Sequence, residues 1–290
     1  MSESAAQTVN DAIRAAAVRL EASSDTARLD AELLAAHLLG VSRSEMLLRH
    51  MRDPAPPGLA GLVERRLGHE PVAYITGRQE FYGLPFIVSP AVLIPRGDSE
   101  VLVEAALAAR PDARRVLDCG TGSGALLLAV LAYLRQASGV GIDCSEGALA
   151  IARRNAEALG LAPQAAWQLA DWHTTGWTEG LGGPFDLILA NPPYVEADAA
   201  LDPSVRDHEP AGALFAGPEG LDDYHVLVPQ LPGLLAPGGV ALVEIGHLQA
   251  GSVGAIAAAA GLEWALHRDL AGRARALEFK IPLGKAGPLA

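Results

Sequence analysis

Two short stretches hold residues whose types and order could do chemistry. The first is Asp118-Cys119-Gly120-Thr121-Gly122-Ser123-Gly124, directly after the apolar pair Val116-Leu117. Glycines between a strand and a helix let a ligand approach the backbone closely. The second is Asn191-Pro192-Pro193-Tyr194, directly after the apolar run Phe185 to Ala190. Two prolines fix two φ angles and remove two backbone donors. What remains is a rigid row of acceptors, the Asn191 side-chain oxygen and the Pro192 carbonyl. That row matches the two hydrogens of an –NH2 group, and Tyr194 adds a flat face for a planar amide or base. An amide nitrogen is a poor nucleophile because its lone pair is delocalised into the carbonyl. Accepting both N–H bonds orients the group and stabilises the positive charge that grows on nitrogen as it attacks an electrophile.

The glycine turn alone leaves two ligands open. Gly120, Gly122 and Ala125 also satisfy the looser dinucleotide pattern G-x-G-x-x-G/A, so a nicotinamide enzyme competes. Asp118 before the glycines favours the other ligand. A carboxylate there repels a pyrophosphate and attracts a cationic amino-acid end or a sulfonium, as in S-adenosylmethionine. Asp143, ending the next apolar run, can accept both hydroxyls of a ribose. Asp171-Trp172 follows a third run and puts an acceptor and an indole face where an adenine ring would lie. His173, beside it, is the histidine placed to see a cofactor.

Strands and helices must alternate to position these groups. Val116-Leu117, Val140 to Ile142, Trp167 to Ala170, Phe185 to Ala190 and Val240 to Ile245 read as strands. Helices are expected at Ala125 to Leu134, Glu146 to Leu159 and Tyr224 to Leu235, the last kinked by Pro229 and Pro232. Trp264 to His267 and Leu277 to Ile281 close the chain as an antiparallel pair. The pattern predicts an α/β fold with a mostly parallel sheet covered on both faces. Both motifs then fall at the carboxyl ends of strands, where sites of such folds lie. Ahead of the sheet the periodicity predicts short helices. One buries Ile13, Ala16, Ala17 and Leu20; one buries Leu29, Leu33 and Ala36; one buries Leu59, Leu62 and Val63. From Ala73, the β-formers Tyr74, Ile75, Phe81, Tyr82, Phe86 and Ile87, broken by Gly77, Gly83 and Pro85, predict a hairpin linker. Asp98 reads as the cap of a helix through Val101, Leu102 and Ala105. The expected division is a helical part at 1–72, a hairpin at 73–97 and a catalytic domain at 98–290.

Composition narrows the partners. In 290 residues the apolar fraction is 50% and the charged fraction 19%, which excludes a disordered tail. The net charge of −12 disfavours a phosphate backbone as main partner, so no direct nucleic-acid binding is expected. Cys119 and Cys144 cannot form a disulfide framework or a cysteine-rich zinc site and read as buried small hydrophobes. The histidines show no metal-ligand spacing, so no metal is expected. The apolar run Ala125 to Leu134 is far short of the roughly 20 residues that span a bilayer. The first ten residues hold no Lys or Arg, as a secretory signal would. A cytoplasmic protein without membrane contact is expected.

The chain resembles the HemK/PrmC family, the release-factor glutamine N5-methyltransferases. The resemblance runs through the helical N-terminal part, Glu70-Pro71 to Gly77, Glu80-Phe81, Leu93-Ile94-Pro95-Arg96, the glycine turn, Asp171-Trp172, Asn191 to Tyr194, Glu209-Pro210 and Glu244-Ile245-Gly246. It implies a seven-stranded Rossmann-like class I methyltransferase sheet, preceded by a small helical bundle that is joined by a β-hairpin and binds the release factor. It implies S-adenosylmethionine as cofactor, with S-adenosylhomocysteine as product. The acceptor it implies is the side-chain amide of the glutamine in the Gly-Gly-Gln loop of bacterial-type peptide chain release factors. Cofactor contacts are expected at Gly120, Thr121, Gly122, Ser123, Gly124, Asp143, Asp171, Trp172 and Asn191. Glutamine contacts are expected at Asn191, Pro192, Pro193 and Tyr194, with Asn191, Pro192 and Tyr194 carrying the catalysis. Phe81 and Arg96 are further candidates: Phe81 lines the entrance or packs the hairpin, and Arg96 steadies the cofactor loop or pairs with Glu100. Gly97 departs from the family, which commonly has proline there. The long irregular stretch Val195 to Gly220 is expected to cover the glutamine pocket or touch the release factor. The tetrapeptide is shared with adenine- and cytosine-amino methyltransferases of nucleic acids, which form the alternative reading.

Overall fold

The computed structural model describes residues 7–282, and the chain divides into two compact units. The first comprises residues 1–78 together with 201–209. Its helices are α1 (Val9–Leu20), α2 (Ala27–Leu39), α3 (Arg43–Glu45), α4 (Leu59–Leu67) and α5 (Val72–Thr76), with a π-helical turn at Met46–His50. Helix α1 starts at Thr8, whose hydroxyl accepts from the Asp11 N–H, and buries Ile13, Ala16, Ala17 and Leu20 as its spacing predicts. Helix α2 is rotated from the expected face. Of the three residues expected inward only Ala36 is buried; Leu29 is 39% exposed and Leu33 half-buried, while Ala31, Leu34 and Ala35 point inward beside Asp30 and Glu32. Both carboxylates are answered by arginines. Arg66 meets Asp30 at 2.7 Å, and Arg28 and Arg43 meet Glu32 at 2.5 and 2.7 Å. Apolar periodicity cannot register a buried face whose acids are neutralised by cations from other turns.

The expected hairpin also begins later than its β-formers suggest. Val72–Thr76 is helical, with Pro71 at its start and Gly77 at φ 71° as its cap. Ile75 joins the apolar core of the helical unit, so packing there decides its conformation. In the segment 201–209, α9 (Pro203–Arg206) is capped by Asp202, whose carboxylate accepts from Ser204 N at 2.8 Å. His208 Nε2 donates to the Gly68 carbonyl at 3.0 Å, which ties this segment into the helical unit.

The second unit comprises residues 79–200 and 210–290. A two-residue turn joins β1 (Arg78–Phe81) to β2 (Leu84–Ile87). Tyr82 and Gly83 both have positive φ, 51° and 71°, as a type I′ turn requires. Helix α6 (Glu100–Ala109) leads to β3 (Arg115–Cys119), α7 (Ala125–Tyr133), β4 (Ser138–Asp143), α8 (Glu146–Ala158), β5 (Ala165–Leu169) and β6 (Phe185–Ala190). Then follow α10 (Asp222–Leu227), β7 (Leu235–Glu244), α11 (Ala250–Ala259), β8 (Glu263–Arg268) and β9 (Ala274–Lys280). The seven strands lie in the order β5-β4-β3-β6-β7-β9-β8. Strands β3 to β7 pair in parallel, and β9 runs antiparallel between β7 and β8. Strand β6 shows why both faces are covered: Leu187 and Leu189 enter one apolar core, Ile188 and Ala190 the other. Chain order reverses at β3, which has β4 on one side and β6 on the other, so a crevice opens there at the carboxyl ends.

Two further expectations change. Asp98 caps no helix: it lies in a 3-10 turn (Gly97–Ser99), and its carboxylate takes the Arg275 guanidinium at 2.6 Å. The helix expected to Leu235 stops at Leu227 and continues as a 3-10 turn, Val228–Gly233, because Pro229 and Pro232 cannot donate to an α-helical ladder. Among the described residues no helix is long and apolar enough to cross a membrane.

Candidate active site

A cavity of about 380 Å³ lies at the carboxyl ends of β3, β4, β5 and β6. The glycine turn forms its floor, with Gly120, Thr121, Gly122 and Ser123 on the wall. Gly120 has φ 72°, and a Cβ there would lie 3.1 Å from the Trp172 ring, so the indole sits directly over it. Gly124 stands off the wall. Its φ of 81° starts α7, and a Cβ would crowd Trp167 and Leu128 at 3.0 and 3.1 Å. Gly124 therefore serves helix–sheet packing. Asn155, fully buried, fixes the turn from behind. It donates to the Ser123 carbonyl at 2.9 Å and the Ile87 carbonyl at 3.0 Å and accepts from Ile87 N at 2.7 Å. One side chain thus couples the hairpin to the glycine turn.

Carboxylates surround this floor. Asp118 is buried beneath it, accepts from the Thr121 hydroxyl at 2.6 Å and keeps Oδ1 without a hydrogen-bond partner among the described residues. Burial, with the Asp143 charge adding, pushes its carboxyl up to about 7. Asp143 accepts from Gly122 N and Ser145 N, both at 2.9 Å, and burial raises its pKa also. Each of its oxygens is aimed by a backbone N–H and keeps lone pairs for a ligand. Asp171 accepts from His173 N at 2.9 Å. Trp172 Nε1 and His173 Nε2 both meet Asp223 Oδ1, at 2.9 and 3.0 Å, so one buried acid sets the indole and the imidazole together. Phe81, Arg96, His173 and Cys144 complete this part of the wall. Cys119 is buried as expected, but Cys144 is exposed, because it follows the last residue of β4 at the crevice mouth.

The Asn-Pro-Pro-Tyr turn borders the same cavity. Asn191 and Pro193 are on the wall; Pro192 is buried behind it. Among the described residues no group hydrogen-bonds the Asn191 carboxamide, which leaves it for a ligand. Tyr194 turns away from the wall. Its ring packs against the core on one sheet face, and its hydroxyl donates to Glu244 Oε1 at 3.3 Å. Burial, then the charge of Glu244, raises the phenol pKa, so it stays a donor. Tyr194 N and Val195 N share the Leu214 carbonyl at 3.2 and 2.8 Å, and Gln249 Nε2 donates to the Tyr194 carbonyl at 3.1 Å. Of the stretch Val195 to Gly220, Pro210, Gly212 and Ala213 reach the cavity wall.

The PrmC N-terminal domain family matches residues 11–77, and a methyltransferase domain family matches residues 116–205. A release factor glutamine methyltransferase of Rhodospirillum rubrum is 43% identical over 269 residues, spanning 90% of this chain and 81% of the relative. One from Bradyrhizobium diazoefficiens is 40% identical over 287 residues, spanning 94% and 95%. This chain belongs to the release factor glutamine methyltransferase family. Solved structures support the fold alone. The hMettl16 catalytic domain matches with a TM-score of 0.54 at 14% identity, over 71% of this chain and 79% of that one. An O-methyltransferase family protein from Burkholderia thailandensis matches at 0.50 and 16% identity, over 92% and 98%.

As a member of this family the chain is an S-adenosylmethionine-dependent methyltransferase, and the cavity fits that cofactor. Asp143, Asp171 and Asp223 outnumber Arg96 among the charged residues of the lining, so the lining favours a cationic ligand over a pyrophosphate. Trp172 offers the aromatic face, and the glycine backbone offers close approach. Replacing Asp143 by alanine raises the cofactor Kd about 10- to 100-fold, the worth of a hydrogen bond to a charged group, ~1.5–3 kcal/mol. Titration calorimetry reads this directly, and an unchanged Kd removes Asp143 from the cofactor site. Three residues of this methyltransferase escaped sequence reasoning. Glu244 left two signals, its place in the Glu244-Ile245-Gly246 stretch and an acid in an otherwise apolar strand, neither of which gives it a role. Asp223 reads as an ordinary acid in a first helical turn. Asn155 reads as one more polar helix residue; its role appears only when Ile87 and Ser123 are brought to it.

Proposed function

We propose that the chain transfers the methyl group of S-adenosylmethionine to the side-chain amide nitrogen, N5, of the glutamine in the Gly-Gly-Gln motif of peptide chain release factors. The observation that carries this reading is Asn191, an unengaged carboxamide held by a proline-stiffened turn on the wall of a cavity suited to the cofactor. When bound, the cofactor supplies a methyl carbon made electrophilic by its sulfonium. The Asn191 side-chain oxygen accepts an N–H of the incoming amide and aims its nitrogen; the Pro192 carbonyl is the second acceptor in the row. Pro192 and Pro193 keep that row from relaxing, which lowers the cost of orientation at the moment of transfer. Asp143, Asp171 and Trp172 hold the nucleoside part, and the glycine turn admits the rest. Tyr194 acts from behind as an anchor. The helical unit grips the release factor, and the segment around Asp198 covers the glutamine; deleting a few residues there raises the KM for release factor and leaves the cofactor Kd as it was.

Incubation with purified release factor and labelled cofactor, followed by peptide mass mapping, tests the assignment. One methyl group on the glutamine of the Gly-Gly-Gln motif is the expected result. No label on the release factor, or label on a nucleic acid with an affinity that collapses as salt rises, overturns it in favour of an amino methyltransferase acting on bases.

A further inference from the structure

We propose that Glu244 and Gln249 are positioning residues for methyl transfer: they hold Tyr194 at both ends and thereby set Asn191 on the cavity wall. This rests on the function proposed above and adds two residues to its machinery. Strand β7 lies beside β6 with Val243 opposite Ala190, so Glu244 stands next to Asn191 at the carboxyl end of the sheet. The Glu244 side chain, 2% exposed, accepts from the Tyr194 hydroxyl, and its main-chain carbonyl accepts from the Tyr224 hydroxyl at 2.8 Å. Five residues on, Gln249 Nε2 donates to the Tyr194 carbonyl and to the Gly220 carbonyl, both at 3.1 Å. Gln249 Oε1 accepts from Gly246 N at 2.9 Å, which closes the turn on itself. The 244–249 turn therefore grasps Tyr194 by its phenol and by its backbone. Because two prolines stiffen the link from Tyr194 to Asn191, a shift at one end reaches the other.

A carboxylate is an expensive way to anchor a phenol in this place. Glu244 Oε2 is buried with no hydrogen-bond partner among the described residues. The groups facing it are Tyr194 after β6, Tyr224 on α10, Ser99 and Asp98 in the 3-10 turn before α6, and Arg275 on β9. Arg96 acts on the same tyrosine. Arg275 is already bonded to Asp98 at 2.6 Å and Asp269 at 3.4 Å. An apolar or amide residue would be easier to bury, so the acid is retained for what its charge does: an ionised acceptor roughly doubles the strength of the phenol hydrogen bond. Burial pushes the Glu244 carboxyl up to about 7, so that hold weakens as the group protonates in the neutral range.

Turnover of release factor by the full chain, measured across pH for wild type, Glu244→Ala, Glu244→Gln, Gln249→Ala and Tyr194→Phe, tests this. Wild-type kcat falls as pH drops through about 7. Glu244→Ala and Gln249→Ala each lower kcat about 10- to 100-fold, the cost of a misplaced reacting group, with the cofactor Kd unchanged. Glu244→Gln keeps a hydrogen-bond acceptor but no titrating group, so it recovers part of that loss equally at every pH and makes the acid limb shallower. Tyr194→Phe combined with Glu244→Gln is no worse than the poorer single variant, because both cut the same link. Should Glu244→Ala fail to fold, the Gln and Phe variants carry the comparison. Wild-type kcat in Glu244→Gln and Tyr194→Phe overturns the inference. A wild-type chain that leaves release factor unmethylated overturns the proposed function instead.

Discussion

Replacing Asn191 by alanine lowers methyl transfer about 10²- to 10³-fold, the measured scale for removing one preorganised hydrogen-bonding group from a transition state. The cofactor still binds, because the glycine turn, Asp143, Asp171 and Trp172 remain in place on the cavity wall. The loss falls on kcat. Binding of the release factor spreads over a large surface, whereas the nitrogen gains its positive charge only as the new bond forms. Asn191→Asp is a sharper probe. It keeps an acceptor of the same shape but replaces the NH2 by a charged oxygen, so it separates the part played by the acceptor oxygen from that of the amide N–H and of neutrality. Single-turnover kinetics with saturating cofactor, together with calorimetric cofactor titration, decide the matter. Equal turnover in the alanine variant at matched folded fraction removes Asn191 from the chemistry.

Gly220→Ala destabilises the catalytic unit by about 2–4 kcal/mol, combining a left-handed backbone with a forced displacement. Gly220 has φ +66°, and a Cβ there would lie 2.2 Å from the Tyr194 carbonyl oxygen and 2.9 Å from Gln249 Nε2. The first neighbour is backbone and cannot rotate aside. The Asn-Pro-Pro-Tyr turn must therefore move, and turnover falls together with stability. Gly251→Ala is the control. It lies in α11 with nothing within 4 Å of the added carbon, and alanine there stabilises by roughly 0.5–1 kcal/mol. Denaturant titration of both variants, with turnover measured at a temperature where each is folded, gives the comparison. A Gly220→Ala chain as stable and as fast as wild type means the approach of residue 220 to Tyr194 is not needed.

The parts of the site that could be read in advance are those whose chemistry is contained in adjacent residues. Positive φ at Gly120 and Gly122 and the rigid link after Asn191 follow from glycine and proline themselves. Strand–helix alternation placed both at the carboxyl ends of a parallel sheet, since few chain paths bury such strands on both faces. The misread elements share one cause. The inward face of α2 depends on Arg66 and Arg43 meeting Asp30 and Glu32 from elsewhere in the chain. Val72–Thr76 is helical because Ile75 completes a helical core, against its own β-forming residues. Asp98 leaves its expected helix cap for Arg275, 177 positions away.

The amino-acid order by itself determined the class of fold, the glycine turn and the rigid link after Asn191, whereas Asp118, expected to draw the cationic end of the cofactor, is buried beneath the turn and absent from the cavity wall. Backbone freedom and missing N–H groups belong to residues before any folding takes place. Tertiary structure alone decided that Tyr194 faces Glu244, that Asp223 orients Trp172 and His173, and that Asn155 braces the glycine turn. Those roles need partners 32 to 51 positions apart brought within hydrogen-bonding distance. A hydrogen bond falls off over tenths of an ångström, so only packing of the sheet and its helices can select which distant groups make one.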